Sequence, residues 1–126
     1  MLTDDELWAG IEKLCADNIV IESLTKRSHH TIVATKPASR EYTIKYGKSG
    51  DNVNVKFWKV SKMYSMLCEA GRLFNSDMVN GGHNDVEMST WHIPGSAMLA
   101  VIPHLDSKVT VNDSPQDAGL FRTISK

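Results

Sequence analysis

The sequence predicts an α+β fold: an N-terminal helix, an antiparallel sheet of about four strands, then a helical half that ends in a hairpin. Three observations predict it. Thr3 with Glu6 three positions later is a helix-start signature ahead of apolar residues at helical spacing. From Ile19 to Trp58 the apolar period falls toward two, which is the spacing of a half-buried strand. After Trp58 it returns to the helical value, and alternation reappears only near the C-terminus.

The first helix follows from Thr3 as cap and from Asp4, Asp5 and Glu6, which place negative charge at the positive end of the helix dipole. Leu7, Trp8, Ile11, Leu14 and Cys15 then share one face, and the pattern runs out near Asn18. Ile19 to Thr25 and His30 to Thr35 read as two strands, the second rich in β-branched residues and ended by Lys36-Pro37-Ala38-Ser39. Arg40 to Tyr46 and Asn52 to Trp58 form the clearest hairpin, with Tyr42, Ile44 and Tyr46 on one face, Val53, Val55 and Phe57 likewise, and Gly47 to Asp51 as the loop.

Val60, Met63, Tyr64, Leu67 and Cys68 define a second helix that Gly71 should stop. Arg72-Leu73-Phe74 is a short extended link. Asn75 or Ser76 can cap a brief helix through Val79, which Asn80-Gly81-Gly82 must break, and His83 to Thr90 reads as an exposed loop. Pro94 suits the first turn of an apolar helix that Pro103 ends or kinks. Lys108 to Val111 and Leu120 to Ile124 complete a terminal hairpin across a turn-rich linker. The expected organisation is one domain over residues 1–126, with a subdivision near residue 59 as the only candidate boundary.

Bulk properties narrow the function classes. The 126 residues are 41% hydrophobic and 23% charged, which suits a globular domain with its own core. No apolar run reaches the roughly 18 residues that span a bilayer, and Met1 to Glu6 is acidic where a secretory leader is basic. Cys15 and Cys68 lie on apolar helical faces and read as reduced core thiols; a cytoplasmic protein with no membrane partner is expected.

Charge is unevenly distributed. The net value is −1, yet Lys26 to Lys62 holds nine bases against two acids, a local +7, while residues 1–25 and 63–126 carry −5 and −3. Arg40, Lys45, Lys48, Lys56 and Lys59, with Trp58 and one of Tyr42 or Tyr46, have the composition of a surface that holds phosphates and stacks bases. The plainer alternative is a solvated sheet face with the aromatics in the core. From Ser61 onward, the order helix, short extended link, short helix, loop, helix and hairpin resembles a winged helix-turn-helix. That resemblance implies a DNA-binding module whose third helix, Ile93 to His104, enters the major groove, and whose wing, Val109 to Ile124, touches the backbone. That helix is poor in base-reading groups, offering only Ser96 and His104 besides neighbouring His92.

Other constellations imply less. His83, Asp85 and His92 are candidate metal ligands within ten positions, but their spacing matches no motif with a mechanism, and the alternative is a set of loop polar groups. Ser23 and Lys26 have the serine-x-x-lysine spacing of some acyl-transfer enzymes, but a strand there breaks the geometry. Asp51, Glu41 and Lys45 do not hold nuclease spacing. No catalytic set and no cofactor site is indicated. The leading expectation is therefore a non-enzymatic nucleic-acid-binding or DNA-associated accessory module. A protein-interaction module, such as a homo-oligomer pairing basic sheet with acidic helix, is the second reading, and a metal-dependent hydrolase the third.

Overall fold

A computed structural model describes residues 1–25, 28–47, 49–74, 92–113 and 118–122, with the side chains of 92–97 outside that description. Helix α1 (Asp4–Ala16) begins as expected: the Thr3 hydroxyl accepts from the Glu6 amide at 3.2 Å and Glu6 accepts from the Thr3 amide at 3.0 Å. Each partner satisfies an amide that the first helical turn leaves without an internal acceptor. Leu7, Trp8, Ile11 and Leu14 are the buried stripe, spaced to cover one face.

Strands β1 (Val20–Glu22), β2 (His29–Lys36), β3 (Glu41–Tyr46) and β4 (Asn52–Lys56) form an antiparallel meander in that order. A register shift between Ile32 and Ala34 leaves Val33 as the extra residue of a bulge, 46% exposed. Ile21, Ile32, Tyr42, Ile44 and Val55 point into the core, and α1 packs across β2.

The hairpin ends earlier than the alternation predicts. Strand β4 stops at Lys56, and Phe57 is already the first residue of α2 (Phe57–Ala70). Phe57 satisfies both periods at once: it continues the inward series Val53, Val55, and it opens the helical series completed by Val60, Met63, Tyr64 and Leu67. The switch has no connecting loop, because the Arg40 carbonyl accepts the Phe57 amide at 2.9 Å and holds the chain at the turning point. Gly71 ends α2 at φ +79°, a left-handed conformation that costs glycine little, with its amide on the Leu67 carbonyl at 2.7 Å.

The extended link is a strand, β5 (Arg72–Phe74), in a second sheet of order β5-β7-β6, with β6 (Val109–Asn112) and β7 (Gly119–Arg122). Between them comes α3 (His92–Leu105), which runs two residues beyond Pro103. Proline removes one amide from the last turn, and the Asp106 amide still reaches the Ile102 carbonyl at 3.1 Å. The short helix expected near residues 75–79 and the loop at 83–90 lie outside the described residues.

Both halves feed one apolar cluster, from Leu7 and Ile44 to Met98, Val101 and Leu120. Residue 59 falls in the first turn of α2, inside an element that packs against both. Cys15 and Cys68 are free thiols, partly buried against that core. No helix among the described residues is long and apolar enough to cross a membrane.

Candidate nucleic-acid interface

The joint between β4 and α2 brings several of the basic and aromatic candidates together. Arg40 ends the turn before β3, Lys56 ends β4, and Trp58 lies in the first turn of α2; all three line a cleft of about 490 Å³ with Asp4, Ser39, Glu41, Phe57 and Ser61. Trp58 is 43% exposed, and the Lys59 ammonium lies over its ring, 5.8 Å from the centroid. Lys56 holds the N-cap position of α2 without a side-chain cap bond, and no acid occupies that helix's first turn.

Three carboxylates border the same region, each engaged within the protein. Asp4 accepts from the Ser61 hydroxyl at 2.6 Å, Glu41 accepts from the Ser39 hydroxyl at 2.8 Å, and Asp5 pairs with Arg40 at 2.5 Å. Arg40 also stands 5.7 Å from the Phe57 ring centroid and adopts φ +50°, so its guanidinium is oriented by partners on α1 and α2. Because the Arg40–Asp5 pair is largely solvated, it is weak, and an incoming phosphate can compete with the carboxylate for it.

The other candidates separate. Lys45 projects from the solvent face of β3 opposite Asn52 and Thr31, four residues from Glu41 and hence about 13 Å further along the strand. On that face Glu41 is flanked across the sheet by Lys56 on one side and Lys36 on the other, and the Thr43 hydroxyl donates to Asn54 at 2.6 Å. The outer sheet is therefore a mixed polar face rather than a cationic one. Lys48 lies outside the described residues.

Tyr42 is unavailable for stacking, being 1% exposed with its hydroxyl without a hydrogen-bond partner among the described residues. Its alternation with Ile44 belongs to the core face, which is why composition alone misplaces it. Tyr46 is half-buried with its ring 5.1 Å from that of His30. His29 and His30 point to opposite faces, the first exposed near Glu22 at 3.9 Å and the second buried.

Of the metal candidates, His83 and Asp85 lie outside the described residues, and His92 is described only as the backbone start of α3. Among the described residues no group of three or more His, Cys, Asp or Glu side chains is assembled. Asp51 sits at the hairpin turn, where its amide meets the Ser49 hydroxyl at 3.2 Å. A second recess of about 300 Å³, between β1 and α3, is mainly apolar and carries Glu22 and His104 but no Lys or Arg, so it offers nothing to a polyanion.

Sequence reasoning missed a buried polar cluster around Tyr64, midway along α2. Asp106 accepts from the Tyr64 hydroxyl at 2.7 Å, from Arg122 Nε at 2.8 Å and from the Lys108 amide at 2.9 Å, while the Leu2 amide donates to Tyr64 at 2.9 Å. Burial alone would raise the Asp106 carboxyl, but the bonds from Arg122, Tyr64 and Lys108 outweigh it and hold the group below its ordinary value. These residues lie in four separate segments, so no local spacing announces them.

A pH dependence follows from these environments. Burial lowers His30, with His29 adding to the effect, and burial lowers His104 against an opposing influence from Glu22. Both histidines have folded pKa values under the 6.5 of the free side chain, so below about pH 7 the unfolded chain binds more protons and stability falls with pH. That loss stops once pH is under the folded values. Asp106 adds a second loss as pH drops through 3.8 toward its own lower value. Urea midpoints measured from pH 7.5 to 3 should therefore decline in two stages; a midpoint flat down to pH 5 contradicts a buried, neutral His30.

No family model, curated protein or solved structure matches the chain.

Proposed function

We propose that the protein binds single-stranded nucleic acid, stacking a base on Trp58 and holding the backbone with Lys56, Lys59 and Arg40. The observation that carries the reading is the half-exposed indole of Trp58, braced by Lys59 at the rim of a cleft that also holds Arg40 and Lys56. Indole offers any base a face to stack on, and cations at that distance neutralise the phosphates on either side. The winged-helix likeness adds the idea of a DNA-associated module. The pairing of β5 with β7 supports it by tying the terminal hairpin back to the strand that follows α2.

The contact in this reading does not run through α3. Met98 to Ile102 are all buried, at 2% exposure or less, so that stretch is a core element with no side turned toward a groove. A single strand at the cleft suits the structure better, because it needs no recognition helix.

The test is fluorescence anisotropy with a labelled 15-nucleotide oligo-dT and a duplex of equal length at 50 and 200 mM NaCl. The single strand should bind more tightly than the duplex. Trp58→Ala should weaken it by about 1–3 kcal/mol. Lys56→Glu should weaken it and make the slope of log affinity against log salt shallower by at least about 0.7. Absence of binding at low salt, or binding indifferent to both substitutions, overturns the reading.

A further inference from the structure

We propose that the solvent face of the three-stranded sheet is a second stacking platform for single-stranded nucleic acid, built on Phe121 and Phe74 with Arg72 beside them. The proposal rests on the single-strand reading above and extends it to a surface at the far end of α2.

The sheet register sorts the residues. Leu73 and Leu120 face the core at 1% and 0% exposure, so their neighbours Arg72, Phe74 and Phe121 face outward. Thr110, opposite Phe121, and Asn112, opposite Gly119, complete the outer face. Among the described residues this face has no carboxylate. It carries one cation, directly across from the exposed ring, where cross-strand neighbours stand about 5 Å apart. The face thus combines an aromatic surface with a positive charge, the pairing that the basic hairpin does not provide on its own outer face.

The ring geometry is prepared in advance. Phe74 lies across Gly119: a Cβ there would stand 1.8 Å from the Phe74 ring and 2.7 Å from the Leu73 carbonyl oxygen, so only glycine admits this arrangement. Seated there, Phe74 meets Phe121 at 5.3 Å between centroids and 84° between planes, an edge-to-face contact that braces Phe121 while 43% of it stays open to water. Leaving that much aromatic surface exposed costs stability, and the cost is recovered when a base covers it.

Size selects the occupant. Phe121 is 43% exposed and Phe74 is partly buried, so the two rings together offer far less than the roughly 800 Å² that each partner contributes to a standard protein contact. One or two stacked bases fit that area, and Arg72 supplies the phosphate contact that a protein partner would not need.

The test uses the full chain. A 12-nucleotide single strand carrying 5-iodouracil is irradiated with the wild-type protein, and the linked peptides are sequenced; attachment at Phe121 or Phe74 is expected. In anisotropy titrations Phe121→Ala should weaken binding about 5- to 150-fold, and Phe121→Tyr, which keeps the ring, should stay within twofold of wild type. Arg72→Glu lies on the surface, leaves the fold intact, and should weaken binding with a shallower salt dependence.

If Phe121→Ala and Arg72→Glu bind like wild type while Trp58→Ala does not, the platform falls and the Trp58 reading stands. If the wild-type protein binds no single strand, both fall. If Phe121→Ala instead abolishes self-association in sedimentation while leaving nucleic-acid affinity intact, the face is a protein contact and the proposal is overturned.

Discussion

Asp106→Ala is expected to lower the free energy of unfolding by about 3–5 kcal/mol. The carboxylate is 6% exposed and the Arg122 side chain 8% exposed, so removing one leaves the other as a buried charge without its counter-ion. The Tyr64 hydroxyl and the Lys108 amide lose the same acceptor, and each buried donor left without a partner adds to the penalty. A domain of this size is held by about 5–15 kcal/mol in total, so the variant keeps only a fraction of its stability. Thermal denaturation should show a drop on the order of 10–25 °C. A control separates the charge from the packing: Asp106→Leu combined with Arg122→Leu replaces the pair by apolar groups and should be less damaging than the two single losses added together. A drop under about 1 kcal/mol for Asp106→Ala would show that water reaches the pair.

That cluster also explains how the terminal hairpin stays attached. The Arg122 amide bonds to the Gly71 carbonyl at 3.0 Å while its side chain reaches Asp106, so β7 is fixed to the end of α2 through both backbone and side chain. The outward presentation of Phe121, one residue earlier, depends on this anchoring. Loss of Asp106 should therefore loosen the second sheet before the meander, and backbone amides of β7 should exchange faster than those of β3.

Local chemistry made part of the fold readable. Thr3 and Glu6 announce α1 because both halves of the capping box lie within one turn, and Gly71 announces the end of α2 because a left-handed residue there favours glycine. The Tyr42, Ile44 and Tyr46 alternation shows a strand, and the same alternation carries Tyr42 into the core, a consequence that composition alone obscures. What stayed hidden is non-local. Arg72-Leu73-Phe74 is three residues long, too short to declare itself a strand, and only its pairing with Gly119 to Phe121 makes it one. Asp106, Arg122 and Tyr64 are far apart in sequence and ordinary in local context. The candidate site was legible to the same degree: Trp58, Lys56 and Lys59 are neighbours in sequence and remain so in space, whereas Arg40 joins them only because the turn before β3 folds over the start of α2, and Lys45 lies further along the sheet.

Phe57→Ala tests that junction, and a loss of about 3–5 kcal/mol is expected. The side chain is 4% exposed, its ring meets Trp8 at 5.6 Å in an edge-to-face contact, and Arg40 stacks on it from the cleft side. Truncation opens a cavity between α1 and α2 that neither can close, because α1 is held by its capping box and α2 by the Arg40 carbonyl that receives the residue 57 amide. The effect reaches the cleft as well. Without the ring Arg40 loses the surface that orients it, keeps only its solvated pair with Asp5, and should contribute less to binding than in the wild type. Phe57→Leu restores most of the volume but not the aromatic face, so it should recover much of the stability while leaving single-strand affinity reduced. Denaturant melts and anisotropy on the two variants separate these contributions: equal recovery of stability and affinity by leucine would mean that packing alone, and not the stacked guanidinium, shapes the cleft.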